Sequence, residues 1–133
     1  MNPNKIIEVT AAIIQKDGRF LCAQRKETSE QGGKWEFPGG KIEYGETPEI
    51  CLERELHEEF NMQAKCGKFL CENTHDYGDK IIKLKAYFVD HFLGHFQLLS
   101  HQDIKWLPLD KIIELDWAEA DLPIVNKLID DFK

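Results

Sequence analysis

The sequence predicts an α/β protein, an α/β/α sandwich in which a mixed β-sheet lies between helices. Segments rich in Ile, Val and Thr alternate along the chain with segments whose apolar residues recur at helical spacing. Leu52, Leu56 and Phe60 show that spacing best, because an apolar stripe at i, i+4 and i+8 docks a helix on a sheet. At 133 residues the chain is expected to form a single domain, residues 1–133.

The first part of the chain predicts three strands. Residues 5–15 are rich in β-branched and apolar side chains, and residues 19–25 form the partner strand across an Asp17-Gly18 turn. Residues 26–33 are polar and end in glycine, which predicts a loop over the site. Residues 35–37 then form a short strand before a Pro-Gly-Gly turn.

The remaining elements are helices, a hairpin and a last strand. Thr47 and Pro48 are typical N-cap and first-turn residues, so a helix begins there. After this helix the sequence predicts a hairpin of residues 65–75 and 80–92 and a strand over residues 104–107. A helix over residues 109–115 and a last amphipathic helix that begins at Asp121 complete the chain.

Composition excludes several classes of protein. A net charge of −7 argues against broad binding of a nucleic acid polymer, which needs a basic face. No apolar run is long enough to cross a membrane, and residues 1–4 lead straight into a strand without a leader. The four cysteines form no CxxC pair and no zinc spacing, so Cys22 and Cys51 are expected as buried apolar residues of a reduced, cytoplasmic protein.

The helix after Thr47 carries an unbalanced acidic face. Glu55, Glu58 and Glu59 fall within an arc of about 100°, and like charges at this spacing repel one another. Most runs of charge are simply solvated faces. A hard divalent cation with oxygen ligands would also balance the charge, and Mg²⁺ takes carboxylates together with substrate phosphates.

The surrounding pattern favours the metal site. After Gly40 come five residues, Glu46, seven residues, and then Arg54-Glu55-Leu56-x-Glu58-Glu59-x-x-Met62. This pattern resembles the signature of the Nudix hydrolases, with Asn61 where the family has glycine. The substitution is mild, because Asn is the usual second choice after Gly in the left-handed conformation that ends a helix.

The resemblance implies the same α/β/α fold, hydrolysis of a diphosphate linkage and a set of site residues. Mg²⁺ is the implied cofactor, with Mn²⁺ as an alternative. The implied metal ligands are the carbonyl of Gly39 and the carboxylates of Glu55, Glu58 and Glu59. Glu55 and Glu58 are the expected catalytic carboxylates, and Glu46 and Arg54 support them as an ion pair between loop and helix.

One position departs from the pattern of the relevant family branch. That branch often carries a loop glutamate six residues before a tryptophan, and counting back from Trp106 gives Ser100, which is neither a strong base nor an anionic ligand. Asp103 and His101 are the alternatives nearby, and His101 is expected to be a solvated loop residue. A glutamate of the signature is therefore favoured as the general base.

Residues 35–41 and 117–123 extend the resemblance to the MutT-type branch, whose members convert nucleoside triphosphates to monophosphate and pyrophosphate. Asp121 stands where that branch reads the base. An ionised Asp only accepts hydrogen bonds, which suits the amino group of cytosine or adenine, whereas a protonated Asp suits an oxo group. Asp121 as a plain N-cap is the alternative.

Four further residues match substrate-binding positions. Arg25 is expected to contact the nucleotide, Phe37 and Tyr77 to lie near the base, and Lys80 to meet phosphate. Each also has an ordinary interpretation, as a surface strand residue, a packing aromatic or a solvated hairpin lysine.

The function expected from the sequence is Mg²⁺-dependent hydrolysis of a nucleoside triphosphate, most simply a cytosine nucleotide, in balancing or sanitising the nucleotide pool. The alternatives are 8-oxo-dGTP hydrolysis and a catalytically silent nucleotide-binding domain. The oligomeric state stays open between monomer and homodimer.

Overall fold

The computed structural model describes residues 5–94 and 97–132, apart from the side chain of His91; residues 1–4, where no leader is expected, lie outside them. The elements in chain order are β1 (Lys5–Ile13), β2 (Gln15–Lys16), β3 (Arg19–Arg25), β4 (Trp35–Glu36), α1 (Pro48–Phe60), β5 (Gln63–Asp76), β6 (Lys80–Leu93), β7 (His101–Pro108), α2 (Leu109–Ile112) and α3 (Leu122–Asp131). None of the helices in this described part of the chain is long and apolar enough to span a bilayer.

The strands form two sheets, of which one is mixed. β6 is central in the first sheet, parallel to β1 and antiparallel to β5. In the second sheet β3 pairs antiparallel with β2, β4 and β7. The turn after β4 lies along β1, where the N–H groups of Thr10 and Ala12 donate to the carbonyls of Gly40 and Pro38 at 2.8 and 2.7 Å.

Strand alternation divides the core into two layers. Ala11 and Ile13 contribute to a buried cluster that includes residues of α3, whereas Ala12 and Ile14 contribute to a cluster that includes Leu52, Leu56 and Phe60 of α1. Helices therefore pack on both faces of the strand layer, and the predicted α/β/α sandwich is confirmed. Cys22 and Cys51 are fully buried, as expected.

The ends of α1 follow the predicted chemistry. The Thr47 hydroxyl accepts a hydrogen bond from the Ile50 N–H at 3.2 Å. Asn61 ends the helix in the left-handed conformation, with φ of 55° and ψ of 37°. The departure from glycine at this position therefore keeps the backbone geometry that ends the helix.

The strand predicted over residues 5–15 is divided into β1, which ends at Ile13, and β2, which begins at Gln15. Two other boundaries are wrong by three residues each. β7 begins at His101 rather than at residue 104, because His101 pairs with Arg25 across a register shift in β3. α2 ends at Ile112 rather than at residue 115, since the Ile112 carbonyl accepts from the Trp117 indole N–H at 2.6 Å and from the Leu115 N–H at 3.2 Å in a tight turn.

Candidate active site

A cavity of about 690 Å³ lies beside the acidic face of α1. Both sheets, the loop after β4, α1 and the segment before α3 contribute to its lining. The residues predicted from the sequence that line it are Arg25, Phe37, Gly39, Arg54, Glu55, Glu58, Glu59, Tyr77, Lys80 and Asp121. Glu46 is absent from this lining and reaches the site through Arg54.

Gly39 and Gly40 bring the loop after β4 into close contact with its neighbours. A Cβ on Gly39 would lie 2.0 Å from the Thr10 carbonyl oxygen, and its φ of +153° is one that other residues rarely adopt. A Cβ on Gly40 would lie 2.3 Å from the carboxyl carbon of Glu55. Glycine at both positions therefore lets the loop approach β1 on one side and the acidic helix on the other.

Arg54 joins the loop to three acids of the signature. Its Nε and Nη2 donate to the two carboxylate oxygens of Glu46 at 2.6 and 3.0 Å, and its Nη1 donates to Glu55 at 2.9 Å and to Glu58 at 3.0 Å. A further bond runs from Nη2 to the Lys41 carbonyl at 3.1 Å. The guanidinium lowers the pKa of Glu46 to about 2, and the carboxylates raise the pKa of Arg54 in turn.

Glu59 is a half-buried member of the acidic face. Burial, together with the charges of Glu36 and Glu55, raises its pKa to about 9. Its Oε1 accepts a hydrogen bond of 3.3 Å from the Gly39 N–H. Burial also raises the pKa of Glu55, against the opposing effect of Arg54. The ionised forms of these acids therefore lack a balancing positive charge in the protein alone.

The oxygen donors of the acidic face of α1 and of the neighbouring loop suit a divalent cation. Carboxylate and carbonyl oxygens are the ligands that hard cations prefer, and the missing Cβ of Gly40 leaves room for the Glu55 carboxylate beside the loop. Within residues 5–94 and 97–132, no three acidic, histidine or cysteine side chains are already grouped as a metal site. Glu55 and Glu58 are instead bound to Arg54, so they would have to rearrange on binding.

Asp121 also lines the cavity. Its Oδ2 accepts a hydrogen bond of 3.0 Å from the Phe37 N–H, and its side chain makes no capping bond to α3. Asp121 stands at the N-cap position of α3, but the interpretation that its side chain caps the helix is wrong, because the carboxyl turns toward the residue after β4 instead. Burial and the charge of Glu36 raise the pKa of Asp121 well above its ordinary value.

The predicted substrate-binding residues all have protein partners. Arg25 pairs with Glu36 at 3.1 Å, and Lys80 pairs with the carboxylate of Glu30 in the 26–33 loop. Phe37 is buried and packs on Trp117, whereas the Tyr77 hydroxyl accepts from the Ala120 N–H at 3.0 Å. Phe37 and Tyr77 thus also serve packing, and their binding roles remain predictions.

Sequence reasoning missed Glu36 and misplaced His101. Glu36 lines the cavity, and its carboxylate contacts both Arg25 and His101. The alternation of side chains along β4 buries Trp35 and turns Glu36 the other way, which is a sequence signal that could have found this residue. The prediction of a solvated His101 is wrong. The residue is 5% exposed and its Nε2 lies 2.8 Å from Glu36 Oε2.

Comparison with known proteins agrees with this geometry. Residues 5–128 match the model of the NUDIX domain. The chain belongs to the Nudix family. It is 40% identical to the CTP pyrophosphohydrolase of Escherichia coli strain K12, over 92% of this chain and 90% of that protein. It is 31% identical to the 8-oxo-dGTP diphosphatase of Haemophilus influenzae, over 96% of this chain and 94% of the relative.

Solved structures agree as well. The solution structure of the E. coli ORF135 protein superimposes with a TM-score of 0.85 and 38% identity, covering 96% of this chain and 91% of that one. The family match and the named relatives confirm the resemblance to Nudix hydrolases and the predicted enzyme class. Nudix hydrolases generally need a divalent metal ion, which confirms the general need for a divalent cation.

Proposed function

We propose that this Nudix protein hydrolyses a nucleoside triphosphate to the monophosphate and pyrophosphate, with a cytosine nucleotide as the preferred substrate. One observation carries the proposal: a single cavity is lined both by the acidic face of α1 and by the buried carboxyl of Asp121. The acidic face suits metal and phosphates, and the Asp121 carboxyl suits the polar edge of a base.

Mg²⁺, with Mn²⁺ as an alternative, would be held by the Gly39 carbonyl and by Glu55, Glu58 and Glu59. When bound, the cation neutralises phosphate charge and makes water more acidic. The Gly39 N–H already contacts Glu59 at 3.3 Å, which supports a loop and helix that act together. Arg54 keeps the helix in register with the loop by its paired bonds to Glu46.

The chemical step adds water across the bond between the α- and β-phosphates. The water oxygen forms a new bond to phosphorus, the bridging oxygen leaves with the other fragment, and one proton is released. A glutamate of α1 accepts that proton, because Ser100 cannot act as a base. Glu58 is favoured, since it lines the cavity with a side chain that is 56% exposed and can reach a water there when Arg54 releases it.

Arg25 and Lys80 are the cations proposed to meet the nucleotide. Both line the cavity, and each is held there by an acidic partner, Glu36 or Glu30. Substrate phosphates would compete with these acids for the two cations. A triphosphate therefore enters a site whose positive groups are already placed.

Base preference depends on the protonation of Asp121. In its ionised form the carboxylate accepts only, which suits the N4 amino group of cytosine. Burial raises the pKa of Asp121, and the neutral acid can donate to an oxo group. That shift favours a base with an oxo group as acceptor, and 8-oxo-dGTP is the second candidate substrate, in line with the diphosphatase relatives. The similarity to a CTP pyrophosphohydrolase supports the cytosine nucleotide as the first candidate.

Product analysis with Mg²⁺ and a panel of CTP, dCTP, 5-methyl-dCTP, dGTP and 8-oxo-dGTP tests the proposal. Glu58→Gln should abolish turnover, whereas Glu49→Gln, which removes the same charge from an exposed position outside the cavity, should not. Monophosphate and pyrophosphate from cytosine nucleotides support it. A strong preference for 8-oxo-dGTP selects the second candidate, and no turnover of any triphosphate favours a silent binding domain.

A further inference from the structure

His101 is a buried polar residue that the proposed chemistry leaves without a task. Its side chain is 3% exposed, and its ring is stacked on Phe60 at a centroid distance of 5.2 Å and an angle of 11°. Nε2 lies 2.8 Å from Glu36 Oε2. Nδ1 is the one buried side-chain nitrogen or oxygen without a hydrogen-bond partner in the described part of the chain.

The segment leading to His101 is fastened to the end of α1. The Leu99 N–H donates to the Glu59 carbonyl and the Gln97 N–H donates to the Phe60 carbonyl, each at 3.1 Å. These bonds satisfy carbonyls that the helix leaves free at its end. The imidazole of His101 therefore has a fixed position relative to the helix that carries the acidic face.

Glu36 connects His101 to the cavity. One of its oxygens accepts from His101 and the other pairs with Arg25 Nη1 at 3.1 Å, so both oxygens have a named donor. Glu36 and Arg25 line the cavity, whereas His101 does not. A change in the His101 side chain can thus reach a ligand through Glu36.

The chemistry of the contact fixes which nitrogen carries a proton. An ionised carboxylate only accepts hydrogen bonds, so Nε2 of His101 is the donor. A buried polar atom without a partner is costly, and Nδ1 is left in that state. The arrangement keeps the Nε2–H directed at Glu36 at the expense of the other nitrogen.

We propose that His101 is a positioning residue, whose Nε2–H fixes the Glu36 carboxylate and, through it, the Arg25 guanidinium at the wall of the nucleotide cavity. The inference rests on the proposed function for its kinetic readout. It assigns His101 to nucleotide binding and not to the role of general base that Ser100 cannot fill.

Two variants of His101 separate the donor from packing. His101→Gln keeps an N–H donor at the end of the side chain, and His101→Leu removes it while filling similar space. Since the lost bond involves a charged group, we expect His101→Leu to raise KM for the nucleotide about 10-fold with kcat nearly unchanged. His101→Gln should stay within about 3-fold of the wild type. Thermal unfolding should confirm that both variants are folded.

A second background tests the route through Glu36. In Glu36→Gln protein, His101→Leu should raise KM much less than it does in the wild type, because the contact it breaks is already weakened. An equal rise in both backgrounds overturns the proposal. So does a His101→Gln variant as impaired as His101→Leu, or a loss confined to kcat.

The ligand-free protein supplies a readout that needs no turnover. The Arg25 Nε–H donates to the Glu30 carbonyl at 2.7 Å, and its nuclear magnetic resonance signal should shift in His101→Leu and be retained in His101→Gln. If the wild type hydrolyses no nucleotide, the proposed function fails and this signal alone decides. An unchanged Arg25 signal in His101→Leu overturns the inference, and a shifted one supports it.

Discussion

Replacing Gly40 by alanine should abolish most activity while the protein stays folded. The new Cβ would lie 2.3 Å from the Glu55 carboxyl carbon, and ordinary contact begins at 3.4 Å, so the carboxyl must move by about 1 Å. Gly40 has no left-handed φ, and the obstructing atoms belong to a flexible side chain. The added methyl group also occupies space beside the loop that Glu55 needs when it leaves Arg54 for the metal. A misplacement of about 1 Å at a site of this kind costs roughly 100-fold in rate.

The assay is kcat at saturating Mg²⁺ and nucleotide, beside unfolding by urea. Gly67→Ala is a matched control, because its Cβ would meet the Asp90 carboxylate at 2.2 Å, outside the cavity. Both variants should remain folded, and only Gly40→Ala should lose activity. A Gly40→Ala enzyme with more than about a third of wild-type kcat, or equal losses in both variants, would refute the reasoning.

Three more predictions follow from charge and burial. Arg54→Lys should lower kcat roughly 10- to 100-fold in a steady-state assay, because one ammonium cannot replace the paired bonds to Glu46. Asp121→Asn should gain stability relative to the wild type as pH rises above about 4. In that range the unfolded Asp ionises, whereas the folded Asp, with its raised pKa, resists ionisation, so the wild type loses stability. Urea unfolding of both proteins between pH 4 and 8 measures the difference. Cys22 and Cys66, whose pKa values burial raises to about 12 and about 11, should react with iodoacetamide at pH 8 far more slowly in the native protein than in urea, as mass spectrometry would show.

Much of the fold and the acidic face of the site follow from local sequence. The N-cap at Thr47, the apolar stripe of α1 and the left-handed Asn61 are set within one helix, and each is found as predicted. The three signature acids share that helix. Their common position on one face therefore needs no knowledge of the rest of the chain.

The parts that failed depend on contacts between distant segments. Asp121 bonds to the Phe37 N–H, 84 residues away, and nothing in the local pattern before α3 distinguishes this from a cap. His101 lies in a polar run that is typical of a loop, and it joins a strand because Arg25 pairs with it. Burial of a polar residue in such a run is decided by its partners, here Glu36 and Phe60.

Arg54 has one set of bonds that can persist and another that can be exchanged. Its bonds to Glu46 and to the Lys41 carbonyl lie outside the expected metal ligands, whereas those to Glu55 and Glu58 involve them. When a cation binds the carboxylates of Glu55 and Glu58, the guanidinium of Arg54 stays anchored by its other bonds. When the cation is removed, the two carboxylates can pair with Arg54 again instead of repelling each other. A chelator should therefore withdraw a bound ion reversibly without unfolding the chain.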